Sequence, residues 1–488
     1  MTVNLRTVFR FLGILLFVLG LCAVPPLLVA VIADEKLAAR CFFIMVLACL
    51  ACGGFIIRFF PLRGRKILER DGYLIVALSW ITASLIGAVP FYASGAIPSF
   101  IDAFFETASG FSTTGSSILS DIESLPRSML FWRSFTHWMG GMGIIVLGTA
   151  LLPALGIQGQ KIANAETPGP TLDKITARFS ENSRRLYLLY LGFTVAETVL
   201  LLFGGMDLYD ALVHTFGTVG TGGFSNYSDS IAHFPSVFVQ VVILVFMFLC
   251  GTNFNLFFAA AKHGPRAFRK DDEFRMYLGI LLVCTGLITI DLLVQGGSDD
   301  PGHSLLDSAF QVTSVMTTTG YATADYDLWP TFSKCILLIV FLTGACSSST
   351  GGGAKIIRIV VAVKLVRRLI SKKLHPQRVF SIKVNGKSIE QETVTNITNF
   401  LLFYIFVFFA GCLLIALNGF DMMTTFSSVL TCLGNVGPGF ALVGPSCNFA
   451  LFSPFSKLLL SLLMIAGRLE LFTFFLLFSP HYWNANKR

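Results

Sequence analysis

The residues with the clearest chemical potential in this sequence are runs of threonine and glycine that recur. Three copies read DAFFETASGFSTTG, DALVHTFGTVGTGG and DSAFQVTSVMTTTG. Each copy has an aspartate followed thirteen residues later by a glycine: Asp102 with Gly115, Asp210 with Gly223, and Asp307 with Gly320. Glycine adopts backbone angles that other residues avoid, so successive carbonyl oxygens in such a run can turn to one side. Rings of such oxygens can replace the hydration shell of a cation.

A fourth, looser copy is TTFSSVLTCLGNVGPG, from Thr424 to Gly439. Its register is open between Gly437, which we favour, and Gly439, and the second copy leaves a similar choice between Gly222 and Gly223. Glycine and threonine also serve as close-packing surfaces in membrane helices. That reading suits one isolated run, whereas three copies in ungapped register with a related fourth favour an ion filter.

The predicted filter combines these four runs. Its residues are Thr113, Thr114, Gly115, Gly220, Thr221, Gly222, Gly223, Thr318, Thr319, Gly320, Asn435, Val436 and Gly437. No carboxylate lies within the runs, which indicates a monovalent rather than a divalent cation. The choice between K⁺ and Na⁺ does not follow from the residues alone.

The composition predicts that these runs lie in a membrane. The 488 residues are 54% hydrophobic and 13% charged, against about 25% charged residues in soluble domains. A soluble protein would lack polar surface at this composition. About ten apolar runs approach the roughly 20 residues that a span needs. They lie near 9–32, 41–60, 74–94, 129–153, 186–204, 236–261, 276–295, 332–346, 395–417 and 454–479.

Each filter run lies between two spans and follows an apolar segment too short to cross. The segment must therefore enter and leave on one side, which is tolerated only where protein or a water-filled cavity covers the backbone. We predict an all-α integral membrane protein, with two N-terminal transmembrane helices and four helix–pore loop–helix repeats in pseudo-fourfold arrangement around a central pore. The predicted units are 1–70, the N-terminal pair, then the repeats 71–155, 156–262, 263–390 and 391–488.

Charge placement predicts the topology. The net charge is +8, and Lys and Arg are absent from 206–235, 297–333 and 418–456. Because basic loops stay cytoplasmic, these gaps face outward and both basic termini face the cytoplasm. The basic clusters are short, so they are only a weak indication of nucleic-acid binding. The spans contain no pair of acidic or histidine residues at catalytic spacing, which argues against an enzyme. The basic segment KLVRRLISKKLHPQR, Lys364 to Arg378, is longer than the topology requires. Its extra charge is explained either by binding to lipid headgroups or by docking of a cytoplasmic partner.

Small polar residues interrupt the chain after the third filter run, in TGACSSSTGGGAK. Such a stretch cannot propagate a span, so we predict a broken helix and a gating loop under the filter, with a passive kink as the alternative. The stretch lacks the GK[ST] ending of a phosphate loop. The predicted gate residues are Gly344, Ser347, Ser348, Ser349, Thr350, Gly351, Gly352, Gly353 and Lys355, together with Arg468.

Arg468 lies in MIAGRLELF, within the last predicted span. A charge there faces a cavity or a partner, so Arg468 is either a positive barrier below the filter or half of a structural pair with a carboxylate on a neighbouring helix. Glu470, two residues on, does not share its helix face. Gly140, Gly141, Gly143 and Gly251 follow the first two filters and predict close packing or bending of the second helices.

With these motifs in place, the four runs resemble the filter loops of the Trk/Ktr/HKT family of potassium transporters. NVGPGF and the two extra N-terminal spans look most like the TrkH/TrkG-type subunit. The resemblance implies K⁺ uptake, with Rb⁺ as a substitute, across a bacterial inner membrane. In this family a glycine in every loop goes with K⁺ selectivity, and a serine in the first loop goes with Na⁺.

The resemblance also implies how transport is controlled. Arg468 would be a barrier, and the Gly344–Lys355 loop would block the path until a cytoplasmic nucleotide-binding ring of the TrkA type moves it. It implies a homodimer, no cofactor in this chain, and K⁺ as the substrate. A secondary transporter coupled to H⁺ or Na⁺ is the alternative, although the repeats share one orientation rather than alternating.

Overall fold

The computed structural model describes residues 4–61, 69–143, 179–295, 300–377 and 381–483. Within these ranges the regular structure is helical apart from one antiparallel hairpin, in which Lys383–Val384 pairs with Lys387–Ser388. The predicted all-α class is confirmed. The largest hydrophobic core joins the N-terminal helices to repeats one and four, and a second lies mainly in repeat three.

The N-terminal unit has helices Leu5–Cys22, Val24–Ile32 and Lys36–Phe59. The first two run on as one apolar span of 28 residues, because the prolines after Val24 fall in the first turn, where a missing N–H is tolerated. This span packs closely on Lys36–Phe59. A Cβ atom on Gly53 would lie 2.7 Å from the backbone nitrogen of Phe17, so glycine lets the two backbones approach.

Each repeat contains a first helix, a short helix and a second helix. The first helices are Glu69–Ala93, Phe179–Phe203, Asp272–Val294 and Gln391–Ile415. The short helices are Phe100–Phe111, Leu208–Val219, Pro301–Met316 and Met422–Gly434. The second helices are Arg127–Gly141, Val237–Gly251, Thr331–Thr343 and Pro454–Arg468.

The short helices have 12 to 16 residues, so they reach about 18–24 Å and cannot cross a hydrocarbon core of about 30 Å. A side-chain oxygen caps the start of every one, from Ser99, Asp207, Asp300 and Asp421 in turn. The bonds from the Thr424 hydroxyl and backbone N–H also lower the pKa of Asp421. The C-terminal halves are buried in protein, as an intramembrane segment requires.

Six helices in the described ranges are long and apolar enough to cross a membrane, and two bent pairs could each form one more span. The predicted spans 236–261 and 454–479 are wrong in shape, because the chain turns by 89° and 116° within them. Span 332–346 is the 13-residue helix Thr331–Thr343. The latter part of span 129–153 lies outside the described residues.

Local chemistry explains both bends. In repeat two, the extended Thr252 ends one helix, and the Asn253 side chain caps the next, Phe254–His263, by accepting from the Asn255 N–H. In repeat four, Glu470 and Leu471 both have positive φ, 58° and 55°, which no helix accommodates.

The broken helix predicted in repeat three is present, because Thr331–Thr343 ends at Gly344 and a helix resumes only at Ile356–Leu374. Shorter elements complete the described part of the chain. They are the helices Arg266–Lys270, Phe472–Phe475 and Pro480–Trp483 and the 3-10 turns Ser230–His233, Tyr326–Leu328, Ala416–Asn418, Ala441–Val443 and Leu476–Phe478. The unit boundaries stay predictions; the one after 155 lies outside the described residues.

Candidate ion pathway

Four loops of identical backbone pattern follow the short helices. We number them loop 1, Thr113–Gly115; loop 2, Thr221–Gly223; loop 3, Thr318–Gly320; and loop 4, Asn435–Gly437. The first residue of each loop has φ between 53° and 58°, and the glycine two residues later has φ between 78° and 106°. The repeated pattern places Gly223 and Gly437, rather than Gly222 and Gly439, at the position of Gly115.

The first residue of each loop ends its short helix in a left-handed turn. The N–H of the following residue bonds back to the helix over 2.8 to 2.9 Å: Thr114 to Ser109, Gly222 to Gly217, Thr319 to Ser314, and Val436 to Thr431. This closure is a Schellman-type helix end. Three loops place a threonine there, although β-branched residues strongly disfavour positive φ. Such strain persists only where the surroundings enforce it, and it concentrates at functional sites.

The loops contact one another in a closed ring. A Cβ atom built on each glycine would strike the middle carbonyl oxygen of the next loop: Gly115 at 2.1 Å from Gly222 O, Gly223 at 2.0 Å from Thr319 O, Gly320 at 2.3 Å from Val436 O, and Gly437 at 2.8 Å from Thr114 O. The order 1–2–3–4–1 closes without a gap. Glycine is therefore required sterically as well as for its backbone angles.

Polar side chains reinforce the ring. The Thr114 and Ser112 hydroxyls lie 2.7 Å apart, and the equivalent pair in loop 3, Thr319 and Thr317, 2.8 Å apart. Asn435 Nδ2 donates to Thr114 Oγ1 at 2.9 Å, which ties loop 4 to loop 1.

The predicted filter residue Gly220 lies one residue before loop 2, at the end of the short helix, with φ −71°. It lies beside the backbone of His137.

A cavity opens on one side of the ring, lined by all four loop glycines and by the chain segments that leave the loops. We call this the outer cavity. Two residues that sequence reasoning missed lie beside it. Arg133 lines the cavity, and its Nε donates to Glu106 Oε1 at 2.6 Å. They stand 27 positions apart, so no local motif signals the pair.

The predicted gating segment Gly344–Lys355 lies against the other side of the ring. Gly352 N donates to Thr318 Oγ1 at 2.6 Å. A Cβ atom on Gly351 would lie 2.7 Å from Thr317 O, and one on Gly352 would lie 2.7 Å from Gly434 O. The segment thus touches the inner ends of loops 3 and 4, and its glycines allow that approach.

The segment also rests on the bend of repeat two. Cys346 N donates to Gly251 O at 3.0 Å, and Phe254 N donates to Ser348 O at 3.1 Å. Ser348 itself has φ 52°. Three other predicted gate residues contact the segment itself: Ser349 donates to Cys346 O, Lys355 Nζ donates to Gly351 O, and Gly353 lies against Gly344.

Glu273 anchors the segment at both ends, and sequence reasoning missed it. Its buried carboxylate accepts from Ser347 N at 2.6 Å, from Ser347 Oγ at 2.7 Å and from Ile357 N at 3.1 Å. Charged acceptors make the stronger hydrogen bonds. One side chain on the first helix of repeat three therefore fixes the shape of the segment.

Arg468 is buried beneath the ring. Its guanidinium donates to Thr350 O at 2.7 Å and to Gly140 O and Gly141 O, both at 2.8 Å. It thus joins repeat four, the gating segment and repeat one. Glu470 instead pairs with Arg358.

The glycines of the second helices pack closely, as expected. A Cβ atom on Gly140 would lie 1.9 Å from Phe111 O, and one on Gly251 would lie 2.6 Å from Thr317 Cγ2. These contacts bring the second helices against the ends of the short helices, and at Gly251 the close contact accompanies the bend.

The sequence matches the TrkH profile, described as a cation transport protein, over residues 42–485. This chain belongs to the TrkH family. It is 36% identical to the Trk system potassium uptake protein TrkH of Salmonella typhimurium, over 98% of this chain and 99% of that protein. It is 34% identical to TrkG of Escherichia coli, over 99% and 100%. The TrkH relatives are named as transport proteins, and this chain is a multi-span membrane protein of the same family.

A solved structure agrees with the fold. The crystal structure of the potassium transporter TrkH from Vibrio parahaemolyticus superposes with a TM-score of 0.88 at 33% sequence identity, covering 99% of this chain and 100% of that one. The predicted architecture of this TrkH-family chain is therefore confirmed.

Proposed function

We propose that this chain takes up K⁺ through the centre of the four-loop ring, and that the ring is its selectivity filter. The observation that carries the proposal is the closed contact of each loop glycine with the middle carbonyl of the next loop. Four backbone segments so arranged offer oxygen dipoles around one axis, which suits a dehydrated monovalent cation. The loops themselves contain no ionisable side chain.

Unsatisfied oxygens at the inner end support the same function. Among the described residues, Thr113 Oγ1 and Asn435 Oδ1 are buried and accept no protein hydrogen bond. Buried polar atoms ordinarily find partners. Oxygens held without protein donors can accept a cation or its water, so these two extend the series of ligands beyond the carbonyls.

The choice of K⁺ rests on the relatives. The curated relatives cited above are named as Trk system potassium uptake proteins, and this chain keeps a glycine in every loop. Its function is therefore proposed as K⁺ transport, with Rb⁺ as a usable substitute.

We propose that Gly344–Lys355 and Arg468 form the gate. The segment covers the inner ends of loops 3 and 4, and Arg468 places a positive charge beneath it. In a low-dielectric site a fixed positive charge strongly opposes a passing cation. Opening then requires the segment to leave Thr318 and Arg468 to lose its contact with Thr350.

The setting follows the charge pattern. We propose a bacterial inner membrane location with both termini cytoplasmic, a homodimer, and control by a cytoplasmic nucleotide-binding ring of the TrkA type. Ile356–Leu374, which continues from the gate, has exposed Arg367, Lys372 and Lys373, a basic surface that suits a cytoplasmic partner.

Flux measurement tests the function. Purified protein in liposomes should take up ⁸⁶Rb⁺ down its gradient, while protein-free liposomes should not. Competition by K⁺ should exceed competition by Na⁺. Uptake that occurs only in exchange for internal cation, or only with an imposed H⁺ or Na⁺ gradient, would reject the channel-like account in favour of coupled transport.

A further inference from the structure

The buried pair of Arg133 and Glu106 lies at the outer mouth of the ring. Arg133 has 3% of its surface exposed and Glu106 has 1%, yet Arg133 lines the outer cavity together with the four loop glycines. Its guanidinium carbon also lies 3.5 Å from the centre of the Phe224 ring, directly after loop 2. A fixed charge in this place acts on every cation that enters.

The pair connects loop 1 to loop 2. Glu106 accepts from Ser117 Oγ at 3.0 Å and from Ile118 N at 3.0 Å, both on the segment leaving loop 1. Arg133 Nη1 donates to Ser225 O at 2.7 Å, on the segment leaving loop 2. The pair therefore spans the loops whose contact is Gly115 against Gly222 O.

In repeats two and three, a neutral side chain stands at the position of Glu106. His214, at the position of Glu106 in repeat two, bonds the Ser225 hydroxyl at 3.0 Å. Gln311, at that position in repeat three, donates to Ala324 O at 3.2 Å. A neutral polar side chain therefore suffices at this position in repeats two and three, and the two charges in repeat one require a separate explanation.

We propose that Arg133 and Glu106 form a charge-balanced clamp that determines which cations enter the ring. The clamp is a positioning device, because Arg133 and Glu106 fix the mouth between loops 1 and 2. It is also electrostatic, because the arginine cancels the carboxylate beside the cavity. Charge in a cleft with low-dielectric walls strongly changes the local ion concentration. A net charge at the mouth would therefore change the local concentrations of monovalent and divalent cations by different factors.

The two halves of the clamp predict opposite defects. Arg133→Gln leaves the Glu106 carboxylate without its partner, one hydrogen bond behind Ser117, which lines the cavity, and carboxylates are the preferred ligands of Ca²⁺. External Ca²⁺ should then inhibit ⁸⁶Rb⁺ uptake at an about tenfold lower concentration than in the wild type. Glu106→Gln leaves an arginine unbalanced, so uptake from dilute Rb⁺ should fall about tenfold without any gain in Ca²⁺ sensitivity. The double variant should return to wild-type Ca²⁺ sensitivity.

The assay uses the full chain in liposomes. Lys457→Gln is the matched control, because it breaks the 2.7 Å ion pair between Lys457 and Asp102. Neither residue lines the outer cavity. The Ca²⁺ sensitivity of Lys457→Gln should stay that of the wild type. Equal loss of uptake in both single variants, with unchanged Ca²⁺ sensitivity, would reduce the pair to a structural contact and overturn the proposal.

Arg133→Lys keeps the test decisive if the single neutral variants do not fold. It retains the charge but cannot reach both Glu106 and Ser225 with a planar fork. Its Ca²⁺ sensitivity should remain low while its preference for Rb⁺ over Na⁺ falls, and an unchanged preference would overturn the proposal. The inference rests on the proposed function, but the two fail differently: wild-type protein without Rb⁺ uptake rejects the function, whereas active wild type with unaltered variants rejects the clamp.

Discussion

At the scale of single residues, the proposed ion pathway depends on backbone angles more than on side-chain chemistry. Thr113, Thr221 and Thr318 hold left-handed conformations that threonine disfavours, and glycines follow where no side chain fits. The sequence predicted these positions because they recur at one spacing. It did not predict Glu106, Arg133 or Glu273, since their partners are distant in the chain and no short-range spacing marks a buried ion pair or anchor.

Gly115→Ser should weaken selection between K⁺ and Na⁺. A side chain there requires Gly222 O to move from its 2.1 Å separation from the new Cβ, which widens the ring on one side. We expect the ratio of ⁸⁶Rb⁺ to ²²Na⁺ uptake to fall about tenfold, or ~1.4 kcal/mol of discrimination.

Gly95→Ser is the control for Gly115→Ser. Gly95 also has a positive φ, 74°, but has open space where a Cβ would lie. It should keep the wild-type ratio. A normal ratio in Gly115→Ser would count against loop 1 as part of the filter.

Arg468→Ala should increase flux in the absence of any partner protein. The change removes a buried positive charge and its bond to Thr350 O, which lowers the barrier and frees the gating segment. We expect Rb⁺ uptake to rise about tenfold, or ~1.4 kcal/mol, and Arg468→Lys to stay nearer the wild type. Loss of flux by a folded, inserted alanine variant would instead assign Arg468 a structural role.

At the scale of elements, the four short helices and the broken third repeat were predictable from the sequence. A bend at Gly251 was predicted only as an alternative to close packing, and the bend in repeat four was not predicted. The apolar runs near 236–261 and 454–479 are continuous in hydropathy. Hydropathy cannot reveal the helix cap at Asn253 or the positive φ of Glu470 and Leu471. The gating segment was predicted from its small residues. The segment contacts Thr318 and the bend at Gly251, and these are tertiary contacts that composition does not specify.

Glu273→Gln should loosen the gating segment. The amide keeps one oxygen for the backbone N–H groups of Ser347 and Ile357, which share Oε1, but it removes the negative charge that strengthens both bonds. Bonds to a charged group contribute about 1.5–3 kcal/mol each, so local opening should be at least about tenfold more frequent.

Hydrogen exchange across 344–357 should report that change as faster deuterium uptake, together with higher basal Rb⁺ flux. Glu392→Gln, at an exposed site on Gln391–Ile415, is the control and should exchange as the wild type does. Unchanged protection in Glu273→Gln would show that the segment is held by its glycine contacts instead.

At the scale of the whole molecule, four like-oriented repeats close a ring, and only some of their parts are equivalent. The loops match in backbone angles, whereas the second helices differ: one bends by 89°, another by 116°, and the third is interrupted at Gly344. We therefore propose that the shared features select the ion and that the divergent ones control its passage. The break in repeat three leads directly into the basic helix Ile356–Leu374.

Replacing Arg367, Lys372 and Lys373 by glutamine should uncouple the pathway from its cytoplasmic partner. These side chains are exposed beyond the gating segment, so basal Rb⁺ flux in neutral-lipid liposomes should persist while stimulation by a TrkA-type ring is lost. Repeating the assay with anionic lipid separates the two roles of the charge. Full stimulation of the triple variant would place the docking surface elsewhere.

The most direct test of the central claim is to locate the ion. Crystals of the full chain grown in Rb⁺ should show anomalous density on the axis of the ring, surrounded by the carbonyl oxygens of Thr114, Gly222, Thr319 and Val436. Exchange into K⁺ should remove that signal. Rb⁺ density confined to the protein surface, with none between the four loops, would contradict the account of this ring as the filter.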